Sequence, residues 1–299
     1  MSMEHASATF RTLRDLLRHA VTRFQQAQLA YGHGNDNAYD EAAYLLLHAL
    51  HLPLDRLEPF LDARLLPDEI AALLRVIDRR VSERLPAAYI TREAWLRDYR
   101  FYVDERVIVP RSHIAELILE GVTSSHQDPE FVSSCLDLCT GSGCLAILLA
   151  LAYPDASVDA VELSGEALEV ARRNVADYGL QARVNLVQSD LFAGLAGRQY
   201  QIIVSNPPYV DASDMAALPE EYRHEPRMAL EGGEDGLDIV RGILAGARDH
   251  LSPEGILIVE VGSGRERVEA AFPDLEFIWL ETSAGGDPVF LLERDQLPG

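Results

Sequence analysis

The N-terminal part of the chain places apolar side chains three and four residues apart, with charged residues between them. This spacing is typical of amphipathic helices. Helices are predicted within residues 8–30, from residue 36 or 37 to about residue 50, and from Pro67 until Pro86 ends the last of them. The histidines of this region show no metal-ligand spacing. We therefore expect a helical domain over residues 1–86 that carries no catalytic group.

Residues 87–111 change to an alternating pattern of apolar and polar positions. The alternating apolar residues are Phe101, Val103, Val107 and Val109, on either side of Asp104-Glu105. Alternation with a period of two indicates β-strands, and a short polar interruption indicates a turn. The pattern predicts a linking β-hairpin over residues 87–111.

From Ser134 onward, short apolar runs typical of buried strands alternate with helical runs. Predicted strands lie at 135–138, 158–161, 184–187, 202–204, 256–261, 277–280 and 289–292, and predicted helices lie at 145–152, 167–176 and 237–250. This alternation indicates an α/β domain with a doubly wound, mainly parallel sheet over residues 112–299. The last two strands are expected to form a hairpin-like edge, with the turn at Gly285-Gly286-Asp287.

Composition bounds the class of protein. The chain has 299 residues, of which 48% are hydrophobic and 25% charged, as expected of a globular protein. No apolar run approaches the ~20 residues of a membrane span, and Met1–His5 does not resemble the start of a signal peptide. We therefore expect a cytoplasmic protein with no membrane partner. The three cysteines, Cys135, Cys139 and Cys144, lie in an apolar stretch and are expected to be reduced packing residues, so no metal is expected.

All 26 basic residues are arginine, because the chain contains no lysine. This excludes Walker-type phosphate loops, Schiff-base chemistry and kinase-like mechanisms, which all need an ammonium group. Residues 1–121 carry 15 Arg against 18 Asp and Glu, whereas residues 122–299 carry 11 against 30. So acidic a region repels bare nucleic acid and attracts basic partners, although plain solubility is the alternative explanation.

Asn206-Pro207-Pro208-Tyr209 directly follows the strand-like run at 202–204. In open α/β sheets, ligands bind where such strands end. The Asn206 side-chain oxygen and the Pro207 carbonyl oxygen can each accept one N–H of a primary amide or an exocyclic base amine, while the Tyr209 ring covers its plane. The alternative is a proline-rich loop that simply ends the strand.

The first predicted strand of the sheet leads into a glycine-containing loop that runs from Asp137 through Gly141 and Gly143. Glycines at these positions let the backbone turn tightly and approach a ligand. The third glycine of a dinucleotide fingerprint is missing, which disfavours NAD. Glu162 ends the second strand, where a carboxylate can accept both ribose hydroxyls of a nucleoside. Asp190 ends the third strand in the analogous position and can flank an adenine ring.

In this glycine loop, the acidic end of the second strand and the final antiparallel strand, residues 134–293 resemble a class I S-adenosylmethionine-dependent methyltransferase. With the helical region included, residues 10–293 resemble the HemK/PrmC and PrmB family of protein-glutamine methyltransferases. The resemblance implies an α/β class I methyltransferase fold, with a doubly wound, mainly parallel seven-stranded sheet and an N-terminal helical domain.

Five stretches resemble the branch of that family that methylates a glutamine of large-subunit ribosomal protein L three. They are residues 31–34, 40–42, 101–106, 109–112 and 231–237. The release-factor branch is expected to carry Pro and Glu where this chain has Ser112 and His113. The resemblance therefore implies that ribosomal protein as the partner, with residues 1–86 recognising it.

The resemblance also implies roles for individual residues. The cofactor would be S-adenosyl-L-methionine, bound by Asp137, Gly141, Gly143, Glu162, Asp190 and Asn206. The catalytic residues would be Asn206, Pro207 and Tyr209. The substrate would be bound by Asn206, Pro207, Pro208, Tyr209, Phe101 and Arg111.

Three alternatives stay open from the sequence. A release-factor glutamine methyltransferase would use the same amide site. A nucleic-acid amino-methyltransferase would use the same tetrapeptide, but it would normally bring a basic surface, so we expect no direct nucleic-acid binding. A non-catalytic ribosome-assembly module would need neither the glycine loop nor the amide site.

Residues 210–234 have no apolar periodicity and exceed the ~12–15 residues that an idle loop usually spans. They are expected to form a mobile lid whose carboxylates meet basic residues of the target.

Overall fold

The structure is a computed structural model, and it describes residues 9–121, 129–283, 285 and 288–298. These residues form two compact units. One comprises the described residues up to Ala94 together with Pro219–His224, and the other comprises the rest of the described chain. The boundary at Ala94 lies between the expected domain limits at residues 86 and 112.

The helical unit contains the three predicted helices. They are α1 (Leu13–Gln26), α2 (Ala38–Ala49) and α3 (Pro67–Ser82), and a short α4 (Ala87–Thr91) follows them. Helices α2 and α3 begin as their sequence predicts: Asn37 accepts hydrogen bonds from Tyr39 N and Asp40 N at 3.0 Å, and Pro67 is the first residue of α3. The buried faces of these helices form one apolar core.

Pro219–His224 belongs to the helical unit, although it lies far along the chain. Its Glu221 is fully buried, accepts a hydrogen bond from Ala30 N at 3.0 Å and pairs with Arg84 at 2.8 Å. The segment is therefore packed inside this unit, and its carboxylate is paired within the chain rather than presented to a partner. The expected lid also contains the helix α8 (Ala212–Ala217) and short 3-10 turns at Glu220–His224 and Arg227–Ala229.

The predicted hairpin exists, but its position differs from the prediction. Strands β1 (Glu93–Leu96) and β2 (Tyr99–Tyr102) form a two-stranded sheet, so the turn falls at Arg97-Asp98 rather than at Asp104-Glu105. Arg97 adopts the left-handed φ of 54° that such a turn requires. The Asn174 side chain bonds both backbone groups of Tyr102, at 2.7 and 3.0 Å, at the end of β2.

The second unit has the predicted α/β architecture. Its sheet strands are β3 (Ser134–Leu138), β4 (Ser157–Glu162), β5 (Val184–Gln188), β6 (Tyr200–Ser205), β7 (Leu251–Glu260), β8 (Ile278–Leu280) and β9 (Val289–Glu293). Its other helices are α5 (Ile114–Leu119), α6 (Cys144–Ala152), α7 (Gly165–Asp177), α9 (Asp238–His250) and α10 (Arg265–Ala271). The predicted strands and helices of this region are confirmed. The turn expected at 285–287 includes Gly286 and Asp287, which lie outside the described residues.

Within the described chain the seven strands are ordered β5-β4-β3-β6-β7-β9-β8. The first five are parallel, and β9 runs antiparallel between β7 and β8. Alternate residues of each strand contribute to opposite cores: Cys135 and Ile202 pack on one face, and Leu136 and Ile203 on the other. This alternation with both faces covered is typical of a doubly wound sheet.

The chain passes from β3 outward to β4 and β5, and it then returns to place β6 on the other side of β3. Leu138 and Ser205 are register partners at the ends of β3 and β6. The next residues of the two strands therefore leave the sheet side by side. Such a reversal of strand order leaves a crevice at the carboxyl ends of the strands, where α/β proteins bind their ligands.

Within the described ranges no helix is long and apolar enough to cross a membrane. The three cysteines are free thiols, and burial raises the pKa of each of them. No cluster of three or more His, Cys, Asp or Glu residues that could hold a metal ion occurs among the residues that the structure describes.

Candidate active site

A cleft opens at the carboxyl ends of the parallel strands. Five of the residues expected at the site line it, namely Gly141, Glu162, Asp190, Asn206 and Pro208. The structure thus brings together side chains from the ends of β3, β4, β5 and β6, as expected for a switch-point crevice.

The loop after β3 has a sharply turned backbone. Cys139, Gly141 and Gly143 have positive φ values of 60°, 55° and 81°. A Cβ added at Gly141 would meet nothing within 4 Å, so this glycine leaves its side of the loop open to a ligand. A Cβ at Gly143 would come within 3.2 Å of the Ala171 Cβ on α7, so that glycine is needed for helix packing and does not line the cleft.

Asp137 stabilises this loop from beneath. Its side chain is fully buried, and its Oδ2 accepts hydrogen bonds from Thr140 Oγ1 and from Ala146 N at 3.0 Å. Burial raises the pKa of Asp137 to about 7, although the bonds from Thr140 and Ala146 oppose this. Asp137 does not line the cleft, and its bonds to Thr140 and Ala146 set the shape of the loop.

Glu162 bridges the loop after β3 and the start of α7. Its two carboxylate oxygens accept hydrogen bonds from Gly141 N at 2.9 Å and from Ser164 N at 3.0 Å. These bonds fix the carboxylate at the edge of the cleft, and each oxygen keeps a lone pair for a ligand hydroxyl. Asp190 lines the cleft at the end of β5, directly before the 3-10 turn Leu191–Gly194.

Asn206 is the first residue after β6, and its side chain lines the cleft. Its Oδ1 atom is buried and accepts no hydrogen bond within the described part of the protein. An unsatisfied buried carbonyl costs about 1–3 kcal/mol, so such an atom is unusual unless a ligand satisfies it. Neighbouring Ser205 donates a hydrogen bond to Leu138 O at 2.9 Å, which joins the two strand ends at this point.

The remaining residues of the tetrapeptide differ in position. Pro208 lines the cleft, whereas Pro207 and Tyr209 do not. The Tyr209 ring packs on Gly262, where an added Cβ would lie 2.7 Å from the ring. Gly232 allows its backbone to approach Pro208 O and Tyr209 Cα, each 2.8 Å from an added Cβ. The glycine-rich stretch at 231–237 therefore packs closely against the backbone of the tetrapeptide.

Two further expected substrate residues lie away from the cleft surface. Phe101 is fully buried and packs on the Tyr178 ring at 5.6 Å, so we assign it a packing role. Arg111 pairs with Glu225 at 2.6 Å and does not line the cleft.

Sequence reasoning did not identify one side of the cleft. It is formed by Arg106, Val107, Ile108, Pro226, Met228 and Ala229. The first three lie in the region interpreted as a hairpin strand, and the last three in the region interpreted as a lid. A weak signal existed, because Arg106 closes the stretch 101–106 that carried part of the family resemblance.

Comparisons with known proteins agree with this fold. The family model of the methyltransferase small domain matches residues 116–223. The ribosomal protein uL3 glutamine methyltransferase of Burkholderia pseudomallei is 60% identical to this chain over 99% of both chains. The proteins of the same name from Bordetella pertussis and Neisseria gonorrhoeae are 60% identical over 96% of both chains and 57% identical over 98% of both chains.

The fold and the family model are those of a methyltransferase domain. On the identity and coverage of its relatives, the chain belongs to the family of ribosomal protein uL3 glutamine methyltransferases.

Proposed function

We propose that this protein transfers a methyl group from S-adenosylmethionine to the side-chain amide nitrogen of a glutamine in ribosomal protein uL3. The observation that carries the proposal is the buried Oδ1 atom of Asn206, a residue that lines the cleft, because this atom has no hydrogen-bond donor among the described residues. The names of the relatives support the identity of the protein substrate. The residues of the cleft support methyl transfer to an amide nitrogen.

The cleft fits the proposed methyl donor. Gly141 leaves open space beside the loop, and Glu162 presents a carboxylate that its bonds to two backbone N–H groups hold in place. Such a carboxylate can accept the hydroxyls of a ribose, as in other nucleotide-binding α/β folds. Asp190 and Leu191 line the cleft at the neighbouring strand end, where an adenine would lie. S-adenosylmethionine would supply a methyl group activated by a positively charged sulfur.

The acceptor is a poor nucleophile, because an amide nitrogen shares its lone pair with the carbonyl group. Asn206 Oδ1 can accept one N–H of that amide, and the carbonyl oxygen of Pro207, which lies between the cleft-lining residues Asn206 and Pro208, can accept the other. Both acceptors stabilise the positive charge that develops on the nitrogen during transfer, in the way that oxyanion-hole donors stabilise negative charge. Alignment of the amide against the methyl donor contributes further, up to ~7–11 kcal/mol in well-aligned systems.

The amide would be methylated without a strong base. The amide proton becomes acidic only after the nitrogen carries the methyl group, so it can leave to water at that stage. The thiol of Cys139, which also lines the cleft, has a pKa that burial raises, and it is therefore protonated at neutral pH.

The charge of the chain favours a basic protein substrate. Residues 122–299 carry 30 acidic and 11 basic residues, and ribosomal proteins that bind RNA are basic. Opposite net charges raise encounter rates, and salt reduces this effect. We therefore expect faster association with uL3 at low ionic strength.

Transfer of labelled methyl groups from S-adenosylmethionine tests the proposal. Purified uL3, a release factor and ribosomal RNA are offered in parallel, and the label is located by mass spectrometry. We expect one glutamine of uL3 to be methylated. Labelling of the release factor instead would refute the protein substrate, and labelling of RNA would refute the amide chemistry.

Asn206→Ala provides the matching variant. We expect turnover to fall by about 2.7–4 kcal/mol in the barrier, the range found when one oxyanion-hole donor is removed. Cofactor affinity, measured by calorimetry, should change only a few-fold. Asp249→Ala, on the exposed surface of α9, is the control and should retain full turnover. A rate for Asn206→Ala within a few-fold of the unchanged protein would assign Asn206 a structural role.

A further inference from the structure

The cleft has an uneven distribution of charge. Two carboxylates, Glu162 and Asp190, line it at the ends of β4 and β5. Arg106 supplies the one basic side chain among the described residues that line it. A ligand that presents both hydroxyls and a carboxylate would be matched by this pattern, because carboxylates accept from hydroxyls and guanidinium groups donate to carboxylates.

Asp104 fixes the position of the Arg106 guanidinium. Arg106 Nε donates to Asp104 Oδ1 at 2.8 Å, and Arg106 Nη2 donates to Asp104 Oδ2 at 2.6 Å. Tyr102 Oη donates to the same Oδ2 at 2.9 Å. Asp104 is buried, whereas 40% of the Arg106 side chain is exposed. The bonds to Asp104 fix the direction of the Arg106 side chain. Its Nη1 group makes no hydrogen bond within the described protein, so it remains available to donate to a ligand.

The same segment is attached to the glycine loop through Asn174 of α7. The Asn174 side-chain nitrogen donates to Tyr102 O at 3.0 Å and to Ser142 O at 2.8 Å, and its oxygen accepts from Tyr102 N at 2.7 Å. The Arg173 guanidinium covers the Tyr102 ring at 3.5 Å. Ser142 lies between Gly141 and Gly143, so the residues leading to Arg106 are held beside this loop rather than beside the Asp190 end of the cleft.

We propose that Arg106, oriented by Asp104, binds the carboxylate of the methionine moiety of S-adenosylmethionine. The inference rests on the proposed function, since it assumes that cofactor. With the nucleoside at Glu162 and Asp190, the amino-acid end of the cofactor extends along the glycine loop toward Arg106. Arg106 is then a binding residue and Asp104 a positioning residue.

Two ligands that differ by one carboxylate test this assignment. S-adenosylhomocysteine carries the carboxylate, and S-adenosyl-3-thiopropylamine lacks it but is otherwise the same. Their affinities are measured by calorimetry for the unchanged full-length protein and for Arg106→Ala, Arg106→Lys and Asp104→Asn. We expect the unchanged protein to bind S-adenosylhomocysteine roughly tenfold more tightly, the scale of a partly exposed charge-assisted contact.

Arg106→Ala should lose about tenfold in affinity for S-adenosylhomocysteine and less than twofold for the amine. Arg106→Lys should recover part of the loss, because it keeps the charge but not the planar fork. Asp104→Asn should also affect the carboxylate-bearing ligand selectively. Arg14→Ala removes a comparable Arg–Asp pair from the exposed surface of the helical unit and should leave both affinities unchanged.

Equal losses for both ligands would overturn the assignment, because Arg106 would then only support the wall of the cleft. A raised KM for uL3 with unchanged affinity for both ligands would also overturn it and place Arg106 at the protein substrate. If the unchanged protein bound neither ligand, the proposed cofactor would fail, and the assignment of Arg106 with it.

Discussion

Arg111 and Glu225 form a two-point ion pair in the methyltransferase unit, with Nη1 to Oε1 at 2.6 Å and Nη2 to Oε2 at 2.9 Å. Glu225 is buried and also accepts a hydrogen bond from Val109 N at 2.8 Å. Each partner adjoins a wall of the cleft: Val107 and Ile108 precede Arg111, and Pro226 follows Glu225. The pair therefore holds together two segments that are 114 residues apart.

Glu225→Gln should destabilise the protein and loosen the cleft. The substitution leaves the Arg111 guanidinium beside a neutral group, and the loss of one partner of a buried pair costs about 3–5 kcal/mol. Since a quarter of the Arg111 side chain is exposed, we expect a value at or below the lower end of that range. The free energy of unfolding, measured in urea, and the cofactor affinity, measured on the same preparations, should both fall.

The control is Arg172→Ala, which removes one partner of the exposed pair between Arg172 and Glu169 on α7. Exposed pairs of this kind contribute about 0.3–0.5 kcal/mol. If Glu225→Gln cost no more than this control, the ion pair would not hold the cleft walls.

Arg80→Met should be among the most damaging single changes in the helical unit. Arg80 is fully buried, and its Nε lies 2.6 Å from Glu41 Oε1 while its Nη1 lies 3.5 Å from Glu221 Oε1. Its loss leaves the buried Glu41 carboxylate without its partner, which costs about 3–5 kcal/mol, whereas Glu221 keeps its pair with Arg84. Amide hydrogen exchange should show increased opening of α3 and of residues 219–224. Arg79→Ala, one position away and exposed, serves as the control and should leave exchange unchanged.

The contacts of residues 31–34 with Tyr222 show why part of the fold could not be predicted. The stretch 31–34 carried a family resemblance but no visible role. In the structure, Gly32 faces the Tyr222 hydroxyl, 2.5 Å from an added Cβ, and the His33 ring packs on Tyr222 at 4.3 Å. The stretch therefore receives a segment almost 190 residues further along the chain, and periodicity contains no information about such a contact.

The elements that could be predicted are those that depend on residues close together in the sequence. Helices α1 to α3 follow from apolar spacing and caps, and the parallel strands follow from short apolar runs bounded by turns. The end-of-strand positions of Gly141, Glu162 and Asn206 follow from the same runs. The hairpin turn was misplaced because Asp104 looks like a turn residue, whereas its carboxylate is bonded to Arg106 and Tyr102.

Ser112 is one of the two residues by which the sequence differs from the expected release-factor branch. In the structure its hydroxyl donates a hydrogen bond to the buried Glu260 at 2.6 Å, which is another contact between residues far apart in the sequence.

Glu162→Ala should weaken cofactor binding by about 1.5–3 kcal/mol, the value of hydrogen bonds to an ionised acceptor. The change also frees Gly141 N and Ser164 N, which Glu162 holds in the structure. Glu162→Gln separates the two effects, since it keeps an acceptor oxygen but not the charge. Calorimetry with S-adenosylhomocysteine measures both variants, with Glu166→Gln, exposed on the first turn of α7, as the control. Unchanged affinity for Glu162→Ala would remove Glu162 from the cofactor site.

Asp137 should make stability depend on pH in a direction opposite to that of a salt-bridged carboxylate. Its pKa rises from 3.8 to about 7 on folding, mainly because the side chain is buried, so the folded protein favours the protonated form. The stabilising contribution is complete below the unfolded pKa of 3.8 and is lost as the pH rises through about 7. Each pH unit in this interval corresponds to about 1.4 kcal/mol, so about 2 kcal/mol should be lost between pH 5.5 and 7.

Asp137→Asn isolates that contribution, because asparagine has nearly the same shape but cannot ionise. It keeps one oxygen that can accept from Ala146 N, as Asp137 Oδ2 does at 3.0 Å. Subtraction of the unfolding free energies of the two proteins at each pH cancels the other titrating groups. The difference should shift in favour of Asp137→Asn by about 2 kcal/mol from pH 5.5 to 7. A difference independent of pH over this range would mean that Asp137 is already ionised in the folded protein, because its bonds to Thr140 and Ala146 then offset its burial.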